Sequence, residues 1–298
     1  MTGSNGFLGR YVCLELQKQN IDYYGWSSKY DGDLRFLETI YDKINTKDLD
    51  GVTHIIHLAA RCGGLPANLA TPYDFINDNL LMGLNIIELA MTTKAKLIFI
   101  SSICAYPEIP KTIPFIESEI FDSIPEKSNL PYGISKRTLM TVLEAAHTQY
   151  GLESVTLNLA NTYGKNADSN LKTSHVIPAI VSKVGRAKED NTNVTLLGNG
   201  QATRDFLHGS CAAKAIVKAL FCVGFYPHGL NIGTGTEKSI REITEIICKY
   251  MDFPISRIKW DKSDMNGQRR RVLNCELAKK ILNWQSEINI ENGLLELL

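Results

Sequence analysis

The sequence predicts an α/β fold: a doubly wound parallel sheet with helices on both faces, followed by a smaller mixed α/β domain. Three observations carry that expectation. Strand-length apolar runs alternate with amphipathic stretches through the first half; the run Thr53-His54-Ile55-Ile56-His57-Leu58-Ala59-Ala60 is largely apolar; and a glycine-rich turn opens the first amphipathic stretch. Strands that alternate with helices are joined by right-handed crossovers and lie parallel. A strand covered on both faces reads as a continuous apolar run.

In chain order, strands are expected over residues 22–26, 53–58, 96–100 and 155–159, with helices near 9–19, 73–93 and 132–150. From about Gly164 the loops lengthen and the elements shorten, to 174–183, 194–197, 210–222, 239–250 and 276–282. Residues 1–163 are therefore expected to form the nucleotide-binding domain and 164–298 mainly a substrate domain, with parts of about 205–235 returning to the first. The glycine turn starts at Thr2. Its preceding strand, central in such sheets, is missing from the sequence, and several additional residues are expected ahead of Thr2.

Composition narrows the function classes. The chain has 298 residues, 44% hydrophobic and 21% charged, with 32 basic and 32 acidic side chains. A neutral balance provides no global field for nucleic acid or an anionic membrane, so an anionic ligand needs a local site. No apolar run approaches the roughly 20 residues that span a bilayer, and no secretory signal is read at the start. The seven cysteines (13, 62, 104, 211, 222, 248, 275) form no C-x-x-C pair, which favours reduced thiols in the cytoplasm and no structural metal. His54 and His57 point to opposite faces of a core strand and make no metal pair.

The turn Thr2-Gly3-Ser4-Asn5-Gly6-Phe7-Leu8-Gly9 is a G-x-x-G-x-x-G sequence. Its glycines let backbone approach a pyrophosphate at a helix N-terminus. An acidic residue at the end of the second strand selects NAD; here Trp26 is followed by Ser27, Ser28 and Lys29, hydroxyls and a cation that suit the 2′-phosphate of NADP. A solvated turn is the alternative for these three.

Tyr132-Gly133-Ile134-Ser135-Lys136 puts a phenol and an ammonium one helical turn apart. The cation is expected to lower the tyrosine pKa. Upstream, the strand over 96–100 runs into Ser101-Ser102-Ile103-Cys104-Ala105-Tyr106-Pro107. A serine, a tyrosine and a lysine at this edge form a proton-relay set for a carbonyl. Cys104 alone reads as a small buried hydrophobe; two residues beyond Ser102 in an extended segment, it shares that serine's face. His175 alone reads as a helix-start histidine. Arg269-Arg270-Arg271 is a solvated run or an anion site.

These motifs resemble the extended short-chain dehydrogenase/reductase family, with its Rossmann-type sheet, and within it the GDP-L-fucose synthases. The more specific matches are Ser174-His175-Val176-Ile177-Pro178 and Ser102-x-Cys104-x-Tyr106-Pro107; Ala60-Arg61-Cys62-Gly63-Gly64, Arg204-Asp205-Phe206-Leu207-His208, Asn231-Ile232-Gly233-Thr234-Gly235 and Gly267-Gln268-Arg269-Arg270-Arg271 extend them over nearly the whole chain. The resemblance implies Ser102, Tyr132 and Lys136 as the reductase set, and Cys104 and His175 as the pair that moves protons at sugar carbons 3 and 5. It implies NADP(H) held by residues 3–9, Leu58, Ala59, Ala60, Ile100, Ser101, Lys136, Leu159, Asn161 and Thr162. It implies a GDP-linked keto-sugar near His175, Lys183, Leu197, Arg204, Asn266 and Arg271, and a homodimer packed through the Tyr132 helix. The implied reaction is C3/C5 epimerisation and C4 reduction of GDP-4-keto-6-deoxy-D-mannose to GDP-L-fucose. A relative that only reduces or only epimerises another GDP-keto-sugar, such as a deoxyheptose, and an NADP-binding protein without turnover stay open. Two positions depart from the family. Gly209-Ser210-Cys211 stands where an aspartate pair is usual, with Ser210 expected to cap the next helix, and Asn266 replaces an acidic residue.

Overall fold

The structure, a computed structural model, describes residues 1–47, 49–171, 173–261 and 267–298. A four-stranded parallel sheet runs in the order His54–His57, Lys96–Ser102, Ser154–Leu159, Leu230–Ile232. In its middle, Leu97, Ile98 and Phe99 are all within 1% of full burial. Successive strand residues point to opposite faces, so both faces are covered. The helices Pro72–Thr93 and Leu130–Tyr150 pack together, as do Phe7–Lys18 and Gly209–Leu220, and helices of both pairs lie against the sheet. The long helices stop where the backbone turns left-handed, at Lys94 (φ 56°) and Gly151 (φ 71°).

The stretch 22–26 corrects one expectation. It forms no ladder, and only Trp26 bridges, to Thr2, which also bridges His57. Thr2 donates its N–H to the Ile56 carbonyl at 2.9 Å and the Met1 carbonyl accepts from Trp26 at 2.7 Å. Residues 1–3 are the backbone beside it, so pairing there is one bridge long.

The later elements are short because they lean on one another. Val194–Leu196 pairs with Ile258–Trp260; Thr203–Arg204 lies between Arg270–Arg271 and Lys238–Ser239; Phe206–His208 pairs with Asn161–Tyr163. A second buried cluster, including Ile177, Val184, Phe206, Ile243 and Ile247, forms between the helices Val176–Glu189 and Ile240–Tyr250. The latter opens with a capping box of Ser239 and Glu242. Two elements of the second half, Gly209–Leu220 and Leu230–Ile232, join the first sheet and its helices. Ser210 does not cap its helix. The cap is His208, whose ring accepts from the Ser210 N–H at 3.4 Å while the Ser210 hydroxyl sits 2.8 Å from the same nitrogen.

Candidate active site

The glycine turn is tight for steric reasons. Gly3 has φ +69°, and a Cβ there would stand 2.8 Å from the Ala59 nitrogen; one on Gly9 would run into the Gly3 and Ser4 carbonyl oxygens. Gly6 caps the helix Phe7–Lys18 without a side chain, so Asn5 and Gly6 lie exposed over a helix end with free N–H groups. Such a cradle could hold a dinucleotide's pyrophosphate. Thr2 closes its floor, its hydroxyl accepting from the Ala59 N–H at 3.2 Å and touching His57 Nδ1 at 2.9 Å. Leu58, Ala59 and Ala60 follow the strand His54–His57 along the cradle, half-buried. Ile100 and Ser101 lie at the end of the next strand, Leu159 ends the one after it, and Asn161 and Thr162 follow in the short strand Asn161–Tyr163.

Ser27–Lys29 has an acidic neighbour that the linear reading did not include. Ser27 caps the single-turn helix Ser28–Asp31, and the Asp31 carboxylate folds back onto the Ser27 N–H at 2.8 Å. A carboxylate does therefore stand at this corner. Tyr24 donates to it at 2.5 Å and Lys43 lies 3.5 Å away, so its charge is already engaged. Lys29 is exposed, over the Tyr30 ring.

The strand Lys96–Ser102 delivers Ser102 to the edge of the sheet, and the helix Leu130–Tyr150 lays Tyr132 and Lys136 beside it. Lys136 is 3% exposed, donates to the Ile100 carbonyl at 2.8 Å, and stands 5.7 Å from the centre of the Tyr132 ring. Burial pulls its pKa down to about 8, with the charge of Cys62 resisting. Tyr132 moves opposite to the expectation. Burial first, then the charges of Cys62 and Cys104, push its pKa well above the ordinary value, while a hydrogen bond with Ser102 works against the rise. Desolvation favours the protonated phenol, which could donate to a carbonyl placed beside it.

Cys104 is not in an extended segment. The Ser102 hydroxyl accepts from the Cys104 N–H at 3.1 Å and turns the chain into a single 3₁₀ turn, Ile103–Ala105. Cys104 is thereby aimed across the cleft, where Arg271 Nη1 meets its sulfur at 3.3 Å. His175 sits just before the helix Val176–Glu189. The preceding loop is pinned to the other wall, the Thr173 carbonyl accepting from the Gly64 N–H at 2.9 Å. His175 and Cys62 are both open to solvent, yet protein crowds them. The resulting desolvation lowers the His175 pKa, with Asp168 opposing, and raises that of Cys62.

On the facing wall, Lys183 donates to the Thr195 carbonyl at 2.9 Å, and Leu197 is exposed. Arg204 donates to the Thr203 and Gln268 carbonyls, both at 2.7 Å. Burial and the neighbouring Arg271 disfavour its charge, against Cys104, Glu126 and Glu237. Asn266 lies outside the described residues. Three residues of this region were given no role from the sequence: Cys62, Glu126 and Asp205. The Asp205 carboxylate takes the Thr234 N–H (2.9 Å), the Thr234 hydroxyl (2.7 Å) and the Gly235 N–H (3.2 Å), while its carbonyl accepts from Asn161. Only its place in Arg204-Asp205-Phe206 hinted at such a role. Among the described residues no cluster of His, Cys, Asp and Glu is arranged to hold a metal, and no helix is long and apolar enough to cross a membrane.

Residues 1–233 match the family described as NAD dependent epimerase/dehydratase. The GDP-L-fucose synthase of Sinorhizobium fredii is 34% identical over 242 residues, which span 80% of this chain and 76% of that protein. That of Escherichia coli is 28% identical over 313 residues, spanning 99% and 93%. A GDP-6-OMe-4-keto-L-xylo-heptose reductase from C. jejuni shares the fold, with a TM-score of 0.88 at 22% identity over 99% of this chain and 94% of that one. The glycine cradle, the Ser102–Tyr132–Lys136 edge and these similarities lead to one conclusion: the chain belongs to the NAD dependent epimerase/dehydratase family of enzymes, on the branch of the GDP-L-fucose synthases.

Proposed function

We propose that the protein is a cytoplasmic, NADPH-dependent epimerase/reductase that converts GDP-4-keto-6-deoxy-D-mannose to GDP-L-fucose. The observation that carries this reading is the Cys104 thiol on the same edge as Ser102 and Tyr132, with His175 at the end of the loop whose Thr173 carbonyl accepts from Gly64. A plain reductase needs only one proton donor at its carbonyl. NADP(H), held over the glycine cradle with its 2′-phosphate toward Ser27–Lys29, supplies hydride when bound. A ketone at C4 acidifies the C–H bonds at C3 and C5. Cys104 takes a proton from one face there and His175 returns one to the other, while Ser102 and Tyr132 donate to the enolate oxygen. Tyr132 then gives its proton to the C4 oxygen on reduction, with the Lys136 ammonium beside it. Arg204 supports the diphosphate, as two guanidiniums close together favour an anion; Lys183 and Leu197 line its approach. The two-domain division at residue 163, with about 205–235 returning, belongs to the same proposal, as does a homodimer through the paired helices, where Leu81 and Leu84 are exposed.

Deuterium tests the reading. In D₂O the wild type should incorporate solvent deuterium at C3 and C5 and yield the fucose-configured product. Cys104→Ser and His175→Asn should incorporate much less while hydride transfer continues. A wild type that oxidises NADPH with a GDP-keto-sugar but exchanges no deuterium is a reductase only.

A further inference from the structure

Arg271 ends the short strand Arg270–Arg271 on the C-terminal wall and is 5% exposed. Three of its five N–H donors bond inside the protein. Nε donates to Gln268 Oε1 at 2.9 Å, Nη2 to Glu126 Oε2 at 3.4 Å, and Nη1 to the Cys104 sulfur at 3.3 Å. Gln268 is itself anchored, its amide donating to the Pro107 and Glu108 carbonyls at 2.9 and 2.8 Å. Glu126 is shared, accepting the Ser128 N–H at 3.0 Å and the Asn129 amide at 2.9 Å. A buried guanidinium needs its counter-charge close by. Among the described residues here, three guanidiniums, Arg204, Arg270 and Arg271, meet two carboxylates, Glu126 and Glu237, and Glu237 is bonded to Arg270 and Thr203. The cluster therefore carries more cations than anions, with Arg271 Nη1 at the Cys104 sulfur, and a nearby cation favours the thiolate.

We propose that Arg271 is a positioning residue for Cys104: it fixes the sulfur at the cleft and supplies the charge against which the thiolate forms. This contact gives Arg271 a role beyond the nucleotide contact that family resemblance implies, because one of its nitrogens is committed to the sulfur. The role rests on the reading of Cys104 as a proton-transfer group. It also ties the C-terminal wall to the reacting edge, across 167 positions of sequence.

The test is site-resolved alkylation of the full chain by iodoacetamide, followed across pH by mass spectrometry. Cys13, whose sulfur contacts the Ser4 carbonyl, serves as internal reference. Arg271→Gln should slow Cys104 alkylation at neutral pH about tenfold and move its profile to higher pH, with Cys13 unchanged. Arg271→Lys should restore most of the rate. Glu126→Gln, which keeps an acceptor for Ser128 but removes the competing charge, should leave Cys104 at least as reactive as in the wild type. A folded Arg271→Gln protein with the wild-type Cys104 profile overturns the proposal. If that variant does not fold, slower Cys104 alkylation in Glu126→Gln overturns it instead. So does an Arg271→Gln enzyme that loses only affinity for the GDP-sugar and keeps its deuterium exchange. Alkylation needs no sugar, so this contact and the epimerase reading fail separately: one by a flat Arg271→Gln profile, the other by a wild type without exchange.

Discussion

The two walls of the cleft are built by different means. The sheet-side wall takes Ser102 from a seven-residue strand and Tyr132 and Lys136 from a 21-residue helix. The facing wall takes Arg204 and Arg271 from two-residue strands and Leu197 from the loop after a three-residue one. Long elements hold themselves through their own ladders and turns. Short ones need outside ties, here the buried Asp205 and the Arg271–Glu126 pair. Reacting groups must stay within about 0.5 Å of their working geometry, which suits the rigid wall if the proposed assignment holds. Groups that grip a ligand tolerate the looser one. The division teaches that chemistry and binding should separate when each wall is perturbed alone.

The largest expected effect is on the rigid wall. Tyr132→Phe should lower the kcat for ketone reduction roughly 10²–10⁴-fold, with NADPH affinity and thermal stability close to wild type. A Phe variant that keeps its turnover would move the proton donor elsewhere and break the comparison.

Next is the tie that holds the second wall. Burial pushes the Asp205 pKa up from 3.8 to about 6, with bonds from Thr234, Leu273 and Gly235 resisting. A raised folded-state value means that this carboxyl stabilises the fold most fully below 3.8, and that its contribution is lost as pH rises through about 6. The stability advantage of wild type over Asp205→Asn, measured by urea unfolding, should shrink by about 2–3 kcal/mol across that window and then level. An advantage that stays flat with pH would show that its hydrogen bonds cancel the cost of burial.

The smallest effect should come from the gripping groups. Arg204→Gln should raise the KM for the GDP-sugar about tenfold and leave kcat and NADPH binding little changed. A fall in kcat without a change in KM would place Arg204 with the reacting groups.

Much of the rigid wall was legible in the sequence. Helices near 73–93 and 132–150 appear as Pro72–Thr93 and Leu130–Tyr150, and the strand near 96–100 as Lys96–Ser102. The three-residue strand Leu230–Ile232 and the C-terminal helix Ile290–Leu297 were not. Each is short, and each is stabilised by neighbours far away in the chain. The stretch 22–26 has a strand's composition, but a ladder also needs partner backbone, and only Thr2 bridges to it. Cys104 was read on an extended segment because nothing local announces that the Ser102 hydroxyl will catch its N–H.

The sequence by itself determined what repeats or is spaced locally: a parallel sheet from apolar runs, a tight helix-opening turn from three glycines, and a phenol one helical turn from an ammonium. Each depends on backbone geometry over a few residues, so a linear pattern suffices. Only the tertiary structure decided the electrostatics. Arg271 reaches Cys104 across 167 positions and Glu126 across 145; Asp205 gathers Asn161, Thr234 and Gly235; and Tyr132 keeps its proton although Lys136 is near. Desolvation and ion pairing sum over every segment that packs around a group, and no local stretch of sequence contains that sum.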